Sequence, residues 1–299
     1  MIIKKYLFIS LLLSYWSCED SKNKINVERL FTILKVLDET SGDNCLNGGI
    51  KIIYGIDQNN DGVLSSLEID NSFFICSGIV IDIDGNRYST VTLDGQTWMV
   101  ENLKTTKYND GIIIPNVTLN SEWSSLSTGA YSFYNNDSSS IEQNGYFYNW
   151  YTVETNKLCP MGWHVPTNSD WTILERFLAE NGVNYDGVDW GGNESNSEAR
   201  SKIAKSLADD EGWTNSSIVG SIGNTQENNN YSRFTGRPSG SRSDNGTFYG
   251  IGTHSRYWTA SENSSSQAIR RVLSYDLPNI RASNANKGYG FCIRCVSNN

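Results

Sequence analysis

The sequence is poor in the residues that carry most side-chain chemistry. It has two histidines, His164 and His254, and five prolines in 299 residues. No Ser/His/Asp set and no paired carboxylates stand at a recognisable spacing, so hydrolysis finds no support and the chain reads as non-enzymatic. Basic clusters are missing as well. Against 33 acidic residues there are 24 basic ones, a formal net charge of −9. That balance argues against a nucleic-acid partner and makes anionic membrane surfaces poor ones. In their place stand 9 Trp, 16 Tyr and 26 Gly, which point to a loop-rich, strand-rich fold packed on aromatic rings.

Residues 1–17 carry Lys4 and Lys5, then an apolar core, then Ser17, with Cys18 directly after. This is the pattern of a secretory signal peptide, too short to span a bilayer as a permanent helix. A cysteine directly after the apolar core resembles a bacterial lipoprotein cleavage site with Cys18 acylated, although Tyr15 stands where such sites carry Leu or a small aliphatic. Glu19-Asp20 resembles the acidic tag that Bacteroidetes-type lipoproteins carry to the outer face of the outer membrane. The expectation is a cell-surface protein anchored to the membrane by N-terminal lipid, with residues 18–29 as a polar tether. Export puts the other cysteines where disulfides form. Five follow Cys18, so one is left over.

Residues 30–78 read as a small β-rich module. FTILKVLDE predicts a strand, and GGIKIIYGI alternates to put Ile50, Ile52, Tyr54 and Ile56 on one face. Cys45 and Cys76 bracket the unit, and a bridge between them is expected because so short a segment has little core of its own. Inside it lies DQNNDGVLSSLE, the sharpest chemical motif in the chain. Asp57, Asn59 and Asp61 fall at loop positions 1, 3 and 5 of an EF-hand-like loop, with Gly62 at the sharp turn and Glu68 closing position 12. Val63 would add its carbonyl and Ser65 a water, which predicts a structural Ca2+. The flanks argue otherwise, because the residues before the loop have a strand pattern where an EF-hand has a helix.

After Gly78, Asp84-Gly85 and Asp94-Gly95 stand ten residues apart between alternating segments, which predicts a three-stranded meander. CPMGWHVPT then leads into a helix, with Thr167 as N-cap, Asp170 in the first turn, Trp171, Leu174, Phe177 and Leu178 on one face, and Gly182 past the end. Residues 197–210 predict a second helix. A Gly/Asn/Ser-rich stretch from 212 to 256 reads as short strands and ordered loops pinned by aromatics. It carries Arg233, Arg237, Arg242 and Arg256, which either pair locally with carboxylates or form an anionic-ligand patch.

Taken together, DIDGNRYSTVTLDGQTWMVENLKTTKYNDG, GYFYNWYTV, CPMGWHVPTNSDWTIL, FTGRPSGSR, YWTASE and GYGFCIRCV resemble the Fibrobacter succinogenes major paralogous domain in the family's order. The resemblance covers roughly residues 80 to 297. It implies a cell-surface lipoprotein without an established activity, and by analogy a fold similar to C-type-lectin-like and sulfatase-modifying-factor-like domains. It also implies a disulfide between Cys159 and Cys295, and alternation along FCIRC favours the same partner. Cys292 is then the unpaired thiol. A lectin-type carboxylate-Pro-Asn triplet has its nearest match in Leu277-Pro278-Asn279, which lacks the carboxylate.

The fold class expected is α+β, a lectin-like domain over residues 79–299 with short strands, two helices and long ordered loops, preceded by the small module. The function expected is non-catalytic binding or adhesion, with a polysaccharide or a surface protein as ligand. The alternatives are a scaffold with no small-molecule ligand, and an enzyme on the same fold.

Overall fold

The computed structural model describes residues 7–8, 31–45, 48–186 and 202–297. Most of the expected signal peptide, Cys18 and the expected tether lie outside the described residues, as do 187–201. Among those described, no helix is long and apolar enough to cross a membrane.

The strands are β1 (Leu7–Phe8), β2 (Phe31–Glu39), β3 (Gly49–Asp57), β4 (Ile69–Ile81), β5 (Arg87–Leu93), β6 (Gln96–Met99), β7 (Tyr131–Ser132) and β8 (Phe147–Tyr148). There follow β9 (Trp163–His164), β10 (Ser239–Arg242), β11 (Phe248–Ile251), β12 (His254–Ser264), β13 (Gln267–Ser274), β14 (Arg281–Asn286) and β15 (Val296–Ser297). Helices are α1 (Asn120–Trp123), α2 (Ile141–Asn144), α3 (Trp150–Val153), α4 (Asn168–Glu180) and α5 (Ala204–Leu207). One sheet runs β1-β2-β3-β4-β5-β6-β15-β9, a second β11-β10-β12-β13-β14, and β7 pairs with β8. The chain is α+β with strands dominant.

The expected boundary at Gly78 falls inside β4. The small module is therefore a continuation of the large domain's sheet. Ile50, Ile52, Tyr54 and Ile75 join Trp98, Trp171 and Leu174 in one buried cluster. Phe73 meets Phe177 of α4 edge-on at 5.2 Å. A segment with so few apolar side chains buries them by borrowing the helix of its neighbour. The Asp-Gly turns deliver the expected meander, β4-β5-β6. Close approach explains Gly55, where a Cβ would stand 1.8 Å from the Glu68 carbonyl oxygen.

Helix α4 begins as its sequence dictates. Thr167 and Asp170 form a reciprocal capping box, and Gly182, at φ +67°, follows the end. Its buried face carries Trp171, Leu174 and Leu178. Trp171 packs against Trp98 at 5.0 Å, Phe234 at 5.5 Å and Tyr257 at 5.6 Å. The second expected helix is shorter than its pattern. Of the described residues between 202 and 210 only those of α5 are helical, and the helix stops where Ala208 turns to extended backbone and bridges Gly236.

Candidate functional site

The closing segment, Gly290 to Val296, joins all three sheets. Gly290 exchanges hydrogen bonds with Arg242 of β10, and Phe291 with Tyr148 of β8. Cys292 donates to Arg256 O, and its carbonyl accepts from Trp258, both on β12. Ile293 and Cys295 accept from Leu103 and Met99. Side chains alternate between two cores, with Phe291, Ile293 and Cys295 in one and Cys292 and Val296 in the other. Both faces are buried, whereas a surface strand would bury one.

Cys295 is bonded to Cys159, and Cys45 to Cys76. Cys292 carries a free, fully buried thiol. Burial pushes that thiol up to about 12, so at neutral pH it is a small apolar side chain with no thiolate to offer. His164 bonds through Nε2 to Asp170 Oδ2 at 3.1 Å. Burial raises the Asp170 carboxyl, but hydrogen bonds from His164 and Thr167 outweigh it and leave it below the usual range. This histidine braces the helix cap.

The loop of Asp57, Asn59, Asp61, Val63, Ser65 and Glu68 joins β3 to β4, so strands flank it where an EF-hand has helices. Its carboxylates turn to the loop's own amides. Asp57 Oδ1 accepts from Asp61 N at 3.2 Å and Oδ2 from Gly62 N at 2.8 Å. Glu68 Oε1 accepts from Gln58 N at 3.0 Å, and Oε2 from Ser65 N at 2.9 Å. The bonds from Ser65 lead in holding the Glu68 carboxyl below its usual range. Asp61 Oδ1 accepts from Val63 N at 2.7 Å. Among the described residues no three of His, Cys, Asp and Glu gather where they could hold a metal. The donor set is right in kind for Ca2+, and hydrogen bonds tie Asp57, Asn59, Asp61 and Glu68 together within one loop.

The arginines of the Gly-rich stretch separate by role. Arg237 pairs with Asp209 at 2.8 Å. Arg242 is buried between Trp123 and Phe248 and donates to the carbonyls of Gly246, Val117 and Thr118. Arg256 faces a cavity of about 440 Å3 together with Arg270, Val272, Asn279, Ile280, Arg281, Ala282 and Ser283. Sequence reading missed Arg270 and Arg281, because only the strand register places them beside Arg256. A smaller cavity of about 230 Å3 includes Arg237, whose charge Asp209 already answers. Cys292 lines neither cavity.

No curated protein and no solved structure matches the chain. Two family models do. A domain of unknown function, DUF7151, matches residues 32–76, ending at the second cysteine of the first disulfide. The Fibrobacter succinogenes major domain matches residues 91–297, from β5 to the end of β15 and well over half of the chain. The matched span contains the capped helix, the Cys159–Cys295 corner and the closing segment. The chain belongs to the Fibrobacter succinogenes major domain family.

Proposed function

We propose that this chain is a non-catalytic binding protein, held at the cell surface by lipid on Cys18, whose large domain takes a glycan through a lectin-like arrangement of loops and strands. The observation that carries this reading is the cavity on β12, β13 and β14. Its volume lies in the range of small-ligand sites, and guanidinium, amide and hydroxyl groups line it. Those are groups that recognise a ligand. The half-buried rings of Tyr249 and Tyr289 belong to the same neighbourhood, since both interact electrostatically with Arg256 and Arg270. Tyrosine presents an apolar ring and a polar tip, which suits a sugar.

A second reading, a protein partner, is favoured by exposed isoleucines. Ile79, Ile81 and Ile83 follow one face at the end of β4, with Ile112 and Ile113 also exposed. A Cβ on Gly111 would stand 4.0 Å from Ile83 Cδ1, so the two groups are neighbours.

The test is an array of plant and bacterial polysaccharides against the chain from Cys18 onward, in calcium and in chelator. Saturable binding to one class supports the lectin role. Absence of binding in both buffers sinks it and leaves the isoleucine face as the better lead.

A further inference from the structure

Register puts a row of side chains across the second sheet. Ser241 pairs with Tyr249, Arg256 with Val272, and Val272 with Arg281. Arg256 Nη1 donates to Ser241 Oγ at 3.1 Å, which joins the two halves of the row. One step along the strands Arg270 pairs with Ser283, its Nε donating to the Ser283 hydroxyl at 3.1 Å. Directly opposed residues, and residues two apart on a strand, share a face. Arg256, Arg270 and Arg281 therefore converge on one cavity.

Among the described residues none of these three forms an ion pair, although the protein is acidic and its other cavity arginine has found Asp209. Arg256 is only 8 % exposed, and its Nε has no hydrogen-bond partner. A buried guanidinium with an unused donor is unfavourable unless something answers it. The group is also held in place for an incoming ligand. Arg256 lies over the Tyr249 ring at 4.8 Å and Arg270 over Phe291 at 5.1 Å, which fixes the guanidinium planes in advance. Burial, with repulsion from Arg270 and Arg281 added, pushes the Arg256 guanidinium down to about 10. A bound anion would relieve the repulsion and offset the cost of the buried charge.

We propose that the cavity binds an acidic saccharide, its carboxylate or sulfate seated among Arg256, Arg270 and Arg281. The inference rests on the reading of the domain as a glycan-binding module and names the ligand's charge. Planar, forked donors suit either anion. Asn279 and Ser283 stand in the lining for ring hydroxyls.

The probes are polygalacturonate, a sulfated galactan and a neutral galactan, each titrated into the chain from Cys18 onward and into two variants. Arg281→Glu removes the exposed member of the triad, where folding is least at risk. Arg87→Glu makes the same charge change at an exposed site on β5. Expected is saturable binding to one or both acidic polymers and none to the neutral one, weakening as salt rises. Arg281→Glu should lose about tenfold to a hundredfold in affinity, and Arg87→Glu should keep it. Which acidic polymer wins identifies the anion. Equal loss in both variants would reduce the effect to net charge and overturn the site. Binding of neutral galactan untouched by Arg281→Glu would overturn the acidic ligand and leave the binding module standing. Binding to none of the three, with a positive on the wider array, would likewise remove the acidic ligand alone. A blank on the array as well would remove both readings.

Discussion

Removing the Cys159–Cys295 bond should cost more stability than removing Cys45–Cys76, although both staple the same continuous fold. The two bonds close loops of 136 and 31 residues. In the chain-entropy model the first restrains the unfolded chain by about 5 kcal/mol and the second by about 3.7 kcal/mol. The structure sharpens the contrast, because Cys159 and Cys295 are both buried in one core and their sulfurs also fill space there. The perturbation is the double variant Cys159→Ala/Cys295→Ala beside Cys45→Ala/Cys76→Ala. Both are made in a Cys292→Ala background, so that the buried thiol cannot exchange into either bond. Urea unfolding followed by tryptophan fluorescence reads the loss, since Trp98, Trp171 and Trp258 sit in the two cores. A smaller loss for the 159–295 pair would refute the reasoning. So would a loss under about 1 kcal/mol for either pair.

Other outcomes follow from single side chains. Arg294→Met should cost about 3–5 kcal/mol in urea unfolding, because carbonyls of Met99, Phe234 and Thr235 lose a buried donor. Burial, then the charge of Arg256, lowers His254 to about 4 from 6.5. Between those values the unfolded chain binds a proton that the folded one refuses, so stability falls as pH drops from 6.5 toward 4. Allowing for solvent screening at a half-buried ring, the fall is about 1–2 kcal/mol, and His254→Gln should flatten that part of the profile. Thr167→Ala removes half of the α4 capping box and should cost about 1 kcal/mol in the same assay. Millimolar calcium should leave the melting temperature where a chelator leaves it, since the Asp57–Glu68 loop is closed by its own amides. A clear rise in calcium would show that those amides give way to the ion.

Local signals are legible in the sequence, and long-range ones are not. The two Asp-Gly turns, the capping box at Thr167 and the alternation of β3 each act within a few residues, and the structure carries all three. Alternation along FCIRC separates Cys292 from Cys295, but it cannot reveal that both faces of that segment are covered. The small module likewise reads as separate because its cysteines close locally, while its core is completed by Phe177 on a helix a hundred residues on. Asp57 to Glu68 shows the opposite limit. Spacing shared with a calcium loop does not reveal that strands flank it, or that its carboxylates accept hydrogen bonds from the loop's own amides.

The arginines carry the same lesson into function. In a fold with long irregular loops, backbone carbonyls lack the neighbours that a sheet or helix would supply. Arg242 and Arg294 supply them, each donating to three backbone carbonyls while stacked on aromatic rings. Arg271 meets Glu175 instead, at 2.6 Å, with neither side chain exposed by more than 1 %. Arg242 and Arg294 are answered by backbone carbonyls and Arg271 by a carboxylate, and all three hold segments of the chain in place. Arg256 is nearly as buried, yet its Nε is left over, and the arginines beside it have no carboxylate among the described residues. Position in the Gly-rich stretch does not tell the two kinds apart, since Arg242 and Arg256 lie fourteen residues from each other in sequence. What separates them is that Arg242 is enclosed by carbonyls and rings, whereas Arg256 lines a cavity beside two other arginines and no carboxylate among the described residues pairs with them. By that criterion the cavity on β12 to β14 is where the proposed acidic ligand finds its positive charge.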